Sequence, residues 1–199
     1  MSAPAALVMA KIIYPETEQT DTSGRIKVTS HKQAENVMDA LGQGATDGLK
    51  LAANVGAMLL AFVSMITMVN YLLVYFFSIN MQEMMGVVFQ PLAWSMGVPW
   101  NEAKILGTLM GEKIVLTELI AFSNLSELIL NDKISERTAI IASYALCGFS
   151  NFGSIGIQLG GIGGMAPNRR KDLSTIAFKA MIGGALASWL TATIAGFLL

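Results

Sequence analysis

The chain has 199 residues, 53% of them hydrophobic and 14% charged, and its mean hydropathy is +0.55. That balance lies far from the average of soluble domains and points to an integral membrane protein. A formal charge of −1 offers nothing to attract a nucleic acid, and a single cysteine, Cys147, excludes an intrachain disulfide or a cysteine-built zinc framework.

Met1 to Tyr14 is apolar but covers only about half a bilayer at ~1.5 Å per helical residue, so residues 1–14 are predicted as a partial transmembrane helix. From residue 15 to 50 the chain turns polar. PETEQTDTSGR reads as a loop, and His31 follows it with no cysteine or second histidine to complete a metal site, so a plain surface role is expected. Val37, Leu41 and Leu49 interleave with Asp39 and Asp47 as an amphipathic interfacial segment, which Gly42, Gly44 and Gly48 weaken as a helix.

Residues 51–79 carry no charge and are predicted as a tilted transmembrane helix through a hydrocarbon core of ~30 Å. The stretch 80–99 holds one charge, Glu83, and Pro91 near its middle, which fits an interfacial helix ended by the GVPW turn better than another crossing.

Residues 101–131 are long enough for one crossing, yet Glu112, Lys113 and Glu118 lie well inside them. A carboxylate at bilayer depth costs roughly 2.5 to 3.5 kcal/mol on insertion scales and marks a binding or coupling site. The basic loops decide between a crossing and a hairpin. With a re-entrant hairpin, the loop holding Arg25, Lys27, Lys32 and Lys50 shares a side with Arg169, Arg170 and Lys171, as the positive-inside tendency favours. A full crossing separates them. The expectation is therefore a re-entrant helical hairpin, 101–131, with Thr117 and Glu118 at its tip and the C-terminus outside the cytoplasm. Such backbone survives at membrane depth where it is buried in protein or faces a watery cavity.

Residues 138–165 are again uncharged but are interrupted by Gly148, Ser150, Asn151, Gly153, Ser154 and Gly156. So many weak helix formers around an asparagine predict a discontinuous helix, a device of transporters at the bilayer midplane. After the turn PNRRKD, residues 173–199 form a last span interrupted only by Lys179. The predicted fold class is thus an all-α integral membrane protein. It has about three full transmembrane helices, one partial helix, one re-entrant hairpin and interfacial helices.

Several motif matches carry no function. GIGGMA, Gly161 to Ala166, fits G-x-G-x-x-A but ends a span instead of following a strand, and Asn124-Leu125-Ser126 is a glycosylation sequon hidden in the hairpin. Gly156, Gly160 and Gly164 permit close helix packing. What survives is Glu118 with Asn151 and Ser154. A carboxylate, an amide and a hydroxyl at two chain breaks suit a neutral, polyhydroxylated solute. The structural alternatives are a carboxylate bonded to backbone at the hairpin tip and local capping of a kink by Asn151 and Ser154. Enzyme chemistry is not expected, because Glu118 has only Glu112, Lys113 and Lys179 as titratable company near the bilayer centre.

The stretch ALCGFSNFGSIGIQLGGIGGMAPNRRKDL (Ala145 to Leu173), with GEKIVLTELIAF (Gly111 to Phe122) and AKIIYPETE (Ala10 to Glu18), resembles the C-terminal half of the concentrative nucleoside transporters. The resemblance runs over essentially the whole chain. In that family a hairpin tip reading G-x-K-x-x-x-N-E-F-x-A supplies a glutamate to the ribose, and a discontinuous helix G-F-x-N-F-x-S supplies an asparagine and a serine. By matching position, the resemblance implies that Glu118 binds ribose hydroxyls, that Asn151 and Ser154 complete the sugar and base contacts, and that Phe149 borders the nucleobase. Thr117-Glu118-Leu119 stands where the family usually has Asn-Glu-Phe, a departure that bears on tip geometry or substrate preference while keeping the glutamate.

The resemblance further implies cation-coupled nucleoside symport in a bilayer, with a bacterial inner membrane expected. Coupling would be to Na+ or H+ at a site outside this chain, and no other cofactor is implied. A transport-domain part, residues 80–199, would move elevator-like against a scaffold helix, 51–79, that also builds a homotrimer. The family's N-terminal half, with its first hairpin and sodium site, is missing from the sequence. The chain is therefore expected to be incomplete on its own, a truncated product or one half of a split transporter that works with a separate N-terminal half. The alternative is a non-transporting membrane scaffold or assembly subunit, or an inactive gene fragment.

Overall fold

The computed structural model describes residues 2–17 and 36–199. The expectations for His31 and for Arg25, Lys27 and Lys32 fall on residues 18–35, outside that description. Every regular element among the described residues is helical.

Helix α1 (Ser2–Ile13) lies along the last helix, α8 (Arg170–Leu198), where Ile13 approaches Gly183 and Lys179 sits 5.7 Å over the Tyr14 ring. Helix α2 (Val37–Phe77) is 41 residues long. Its start is set by Asn36, whose side chain accepts the Asp39 N–H at 2.8 Å, and Asp39 adds negative charge to the first turn, where the helix dipole favours it. The interfacial segment expected from residue 37 and the apolar run from residue 51 are thus one continuous helix. Gly42, Gly44 and Gly48 weaken a helix by only about 1 kcal/mol each relative to alanine, too little to stop one that is capped ahead of them and apolar beyond them. Ser78, in the left-handed region at φ 54°, ends α2 by returning its N–H to the Val74 carbonyl.

The chain then reverses into α3 (Met81–Ser95), with the side chain of Asn70 accepting the Met81 N–H at 2.8 Å and Asn80 capping the Glu83 N–H at 2.7 Å. Pro91 lies inside α3 and removes one intrahelical hydrogen bond without ending the helix. Helices α4 (Trp100–Val115) and α5 (Glu118–Leu130) are separated only by Leu116 and Thr117. They fold back on each other, and Asn124 of α5 donates to the Glu112 carboxylate of α4 at 2.8 Å. Next come α6 (Glu136–Leu146) and α7 (Phe152–Met165), interrupted by residues 147–151 and followed by a short 3-10 turn, Pro167–Arg169, that leads into α8.

The apolar core joins Ala93 and Met96 at the end of α3, Leu106 and Met110 of α4, Ala121 and Leu125 of α5, Ile141 and Leu146 of α6, and Met181 and Trp189 of α8. The hairpin arms are therefore built into the core of the molecule. Helix α2 is not, since only Ile66 of it is buried and it rests on α7. Two helices among the described residues are long and apolar enough to cross a membrane, Val37–Phe77 and Pro167–Leu198. The third span expected, 138–165, is present as two shorter helices.

Candidate functional site

The site forms where two helices begin. At the hairpin tip Leu116 leaves the helical region, Thr117 is extended, and its hydroxyl accepts the Ile120 N–H at 3.5 Å as the N-cap of α5. Glu118 is the first residue of that helix, so its carboxylate lies at the positive end of the α5 dipole.

At the other break Asn151 caps α7. Its Oδ1 accepts the Ser154 N–H at 2.7 Å, while the Ser154 hydroxyl accepts the Asn151 N–H at 3.2 Å and donates to the Asn151 carbonyl at 2.6 Å. With Oδ1 committed to the cap, the amide nitrogen is turned outward. Asn151 Nδ2 donates to Glu118 Oε2 at 3.1 Å. The two breaks, distant in sequence, meet at that bond.

Asn151 and Ser154 are buried, at 4% and 5% exposure, and Glu118 is half-buried. Phe149 stands free at 74% exposure beside them, on the extended segment between α6 and α7. The capping alternative weighed for Asn151 and Ser154 is present in full, and it is what aims the amide at Glu118. The carboxylate retains acceptor positions and Asn151 Nδ2 retains one proton, so a pair of neighbouring hydroxyls would find both acceptor and donor here. The Ser154 hydroxyl proton is already used inside the cap.

Lys113 is the residue that sequence reasoning left without a role. It is 0% exposed, and its ammonium donates to the Ala145 carbonyl at 3.0 Å and to the Ser188 hydroxyl at 2.8 Å. The signal was available: a lysine within an apolar run is as expensive as the glutamate that followed it. Its partners, however, lie 32 and 75 residues away along the chain.

An all-helical, strongly apolar chain in which a helical hairpin and a broken helix bring a carboxylate and an amide together has the build of a solute transporter. Comparison with known proteins makes the class specific. The chain belongs to the family described as Na+ dependent nucleoside transporter C-terminus, whose family model matches residues 1–196. It is an integral membrane protein accordingly. It is 47% identical over 203 residues to the uncharacterized transporter YutK of Bacillus subtilis (strain 168), covering 98% of this chain and 50% of that protein. It is 37% identical to the nucleoside permease NupC of Helicobacter pylori, covering 98% of this chain and 48% of the permease. A solved structure of a CNTnw variant in an outward-facing state superimposes with a TM-score of 0.85 at 40% identity, covering 98% of this chain and 48% of that one. The chain spans about half the length of the curated relatives it matches.

Proposed function

We propose that this chain forms the C-terminal part of a cation-coupled nucleoside symporter and supplies its sugar site. Glu118 accepts from the ribose hydroxyls, Asn151 donates to them from its remaining amide proton, Ser154 sets the Asn151 geometry and the near side of the site, Thr117 shapes the tip, and Phe149 borders the nucleobase. The observation that carries this reading is the 3.1 Å bond from Asn151 to Glu118 across two helix breaks. It is supported by the family, whose description specifies sodium dependence, and by a relative that is a nucleoside permease.

Residues 101–131 act as the re-entrant hairpin and 80–199 as the transport-domain part. The apolar portion of α2 serves as the scaffold helix, against which that part moves and through which three copies assemble. Coupling is to sodium, bound by the N-terminal half that the relatives also carry. The protein works in a bacterial inner membrane with its C-terminus outside the cytoplasm.

The test is uptake of radiolabelled uridine by the full-length transporter carrying Glu118→Gln. Uptake is expected to fall at least about ten-fold, the loss of one charge-assisted hydrogen bond. Removing the ribose hydroxyl from the ligand instead, as in 3′-deoxyuridine, is expected to cost the wild type much and the Glu118→Gln variant little. Equal penalties in both would remove Glu118 from the sugar site.

A further inference from the structure

Lys113 is among the largest fully buried side chains of the molecule. An ammonium taken out of water is costly unless its charge and its protons are answered. The ion pairs among the described residues, Lys11 with Glu16 and Arg169 with Asp172, are exposed and elsewhere, so no carboxylate touches it. Its compensation is of another kind.

Ala145 lies in the last turn of α6, and its carbonyl would normally accept the N–H of residue 149. The chain leaves the helix first, through Cys147 and through Gly148 at φ 138°, a conformation that side-chain-bearing residues rarely adopt. The Lys113 ammonium takes the place of that missing donor, at the negative end of the α6 dipole. Its second bond reaches Ser188 of α8, whose hydroxyl passes its own proton to the Ala185 carbonyl at 2.8 Å. Half-helix C-terminal ends are where transporters hold cations at membrane depth. Here the cation is part of α4.

Lys113 also lies within electrostatic reach of Glu118 and Cys147. It sits on the last turn before the hairpin tip, so the chain that its ammonium anchors leads within a few residues to Glu118. On the other side, the segment it caps leads from Ala145 through the break to Asn151. Both partners of the Glu118 to Asn151 bond thus leave from one fastened point.

We propose that Lys113 is a positioning residue of the sugar site, the resident cation of the α6 to α7 break, holding the hairpin tip so that Glu118 meets Asn151. The proposal rests on the reading of that pair as a nucleoside site. The variant that isolates it is Lys113→Met in the full-length transporter, which keeps the volume and removes the charge.

Two measurements are combined: uridine affinity, and backbone hydrogen exchange of segments 116–120 and 147–151 in the absence of nucleoside. Lys113→Met is expected to raise the uridine Kd about ten-fold, as for loss of a buried charge-assisted bond, and to speed exchange in both segments. In a Glu118→Gln background the same change is expected to add no further loss of affinity. Unchanged affinity and exchange would overturn the proposal, as would a full additive loss in that background. If Lys113→Met does not assemble, Ser188→Ala, which removes one anchor, decides by the same two measurements, and wild-type behaviour overturns it. A wild-type transporter that binds no uridine would instead defeat the sugar-site reading. In that event faster exchange in the variant retains the tether, and unchanged exchange removes it too.

Discussion

Asn151 serves two partners at once, and that makes its amide orientation a matter of bonding: Oδ1 accepts from the Ser154 N–H, and Nδ2 donates to Glu118. A flip of the amide would break both bonds. Aspartate at 151 keeps an acceptor for the cap, and its charge is welcome at a helix N-terminus. It also sets a second carboxylate against Glu118, where an amide donor now stands at 3.1 Å. Asn151→Asp is therefore expected to preserve membrane insertion and the thermal unfolding midpoint while lowering uridine binding at least about ten-fold, since like charges at hydrogen-bond distance disfavour each other strongly. Calorimetric unfolding and a binding isotherm on the same preparation check this. A fall in midpoint without loss of binding would assign Asn151 to the cap alone.

At the scale of elements, α7, which begins at the site, packs closely on α2. A Cβ on Gly156 would stand 3.0 Å from the Phe62 ring and 3.3 Å from the Met58 Cβ and carbonyl, and one on Gly160 would meet the Asn54 backbone at 3.4 Å. Gly156→Val is expected to push α2 away and to lower stability by about 1 to 3 kcal/mol, the usual cost of overpacking. Thermal unfolding of the full-length transporter in detergent measures it, and a midpoint equal to wild type would show that the two helices are not held this close.

The same elements show what the sequence made legible. The hairpin tip was readable because charge in an apolar run is expensive, and the α6 to α7 break because the poor helix formers Gly148, Ser150, Asn151 and Gly153 crowd one short stretch. The beginning of α2 was not, because three glycines argue locally against a helix that its cap at Asn36 and its apolar continuation sustain. The family resemblance set Glu118 and Asn151 in one sugar site, but their direct bond and the anchoring of Lys113 were beyond reach for a different reason. Both depend on contacts between residues far apart in the chain, and periodicity and spacing report only neighbours.

For the whole molecule, the sidedness proposed above follows from keeping the basic clusters together, and it makes the two ends of α8 separately addressable. Phe197 is 89% exposed near the C-terminal end, and Lys171 lies exposed near the start. In the full-length transporter with Cys147→Ser, a cysteine at Phe197 is expected to react with a membrane-impermeant maleimide in intact cells, and one at Lys171 only after the cells are opened. The reverse pattern would mean that residues 101–131 cross the membrane outright. This is a prediction about the complete protein, since the orientation is a property of all its spans together.

Helix α2 also has a length that matters. Its 41 residues extend roughly 60 Å at ~1.5 Å each, about twice the ~30 Å hydrocarbon thickness. The hydrocarbon layer cannot hold all of it, and the polar end, with Asp39, Gln43 and Asp47, is the one suited to lie outside that layer. In the scaffold role proposed above, such a helix would serve as a fixed gauge for the transport-domain part. A spin label at Gln43, paired with one on the hairpin tip at Leu119, would report in ångströms how far the proposed sugar site stands from the polar end of α2, with and without nucleoside.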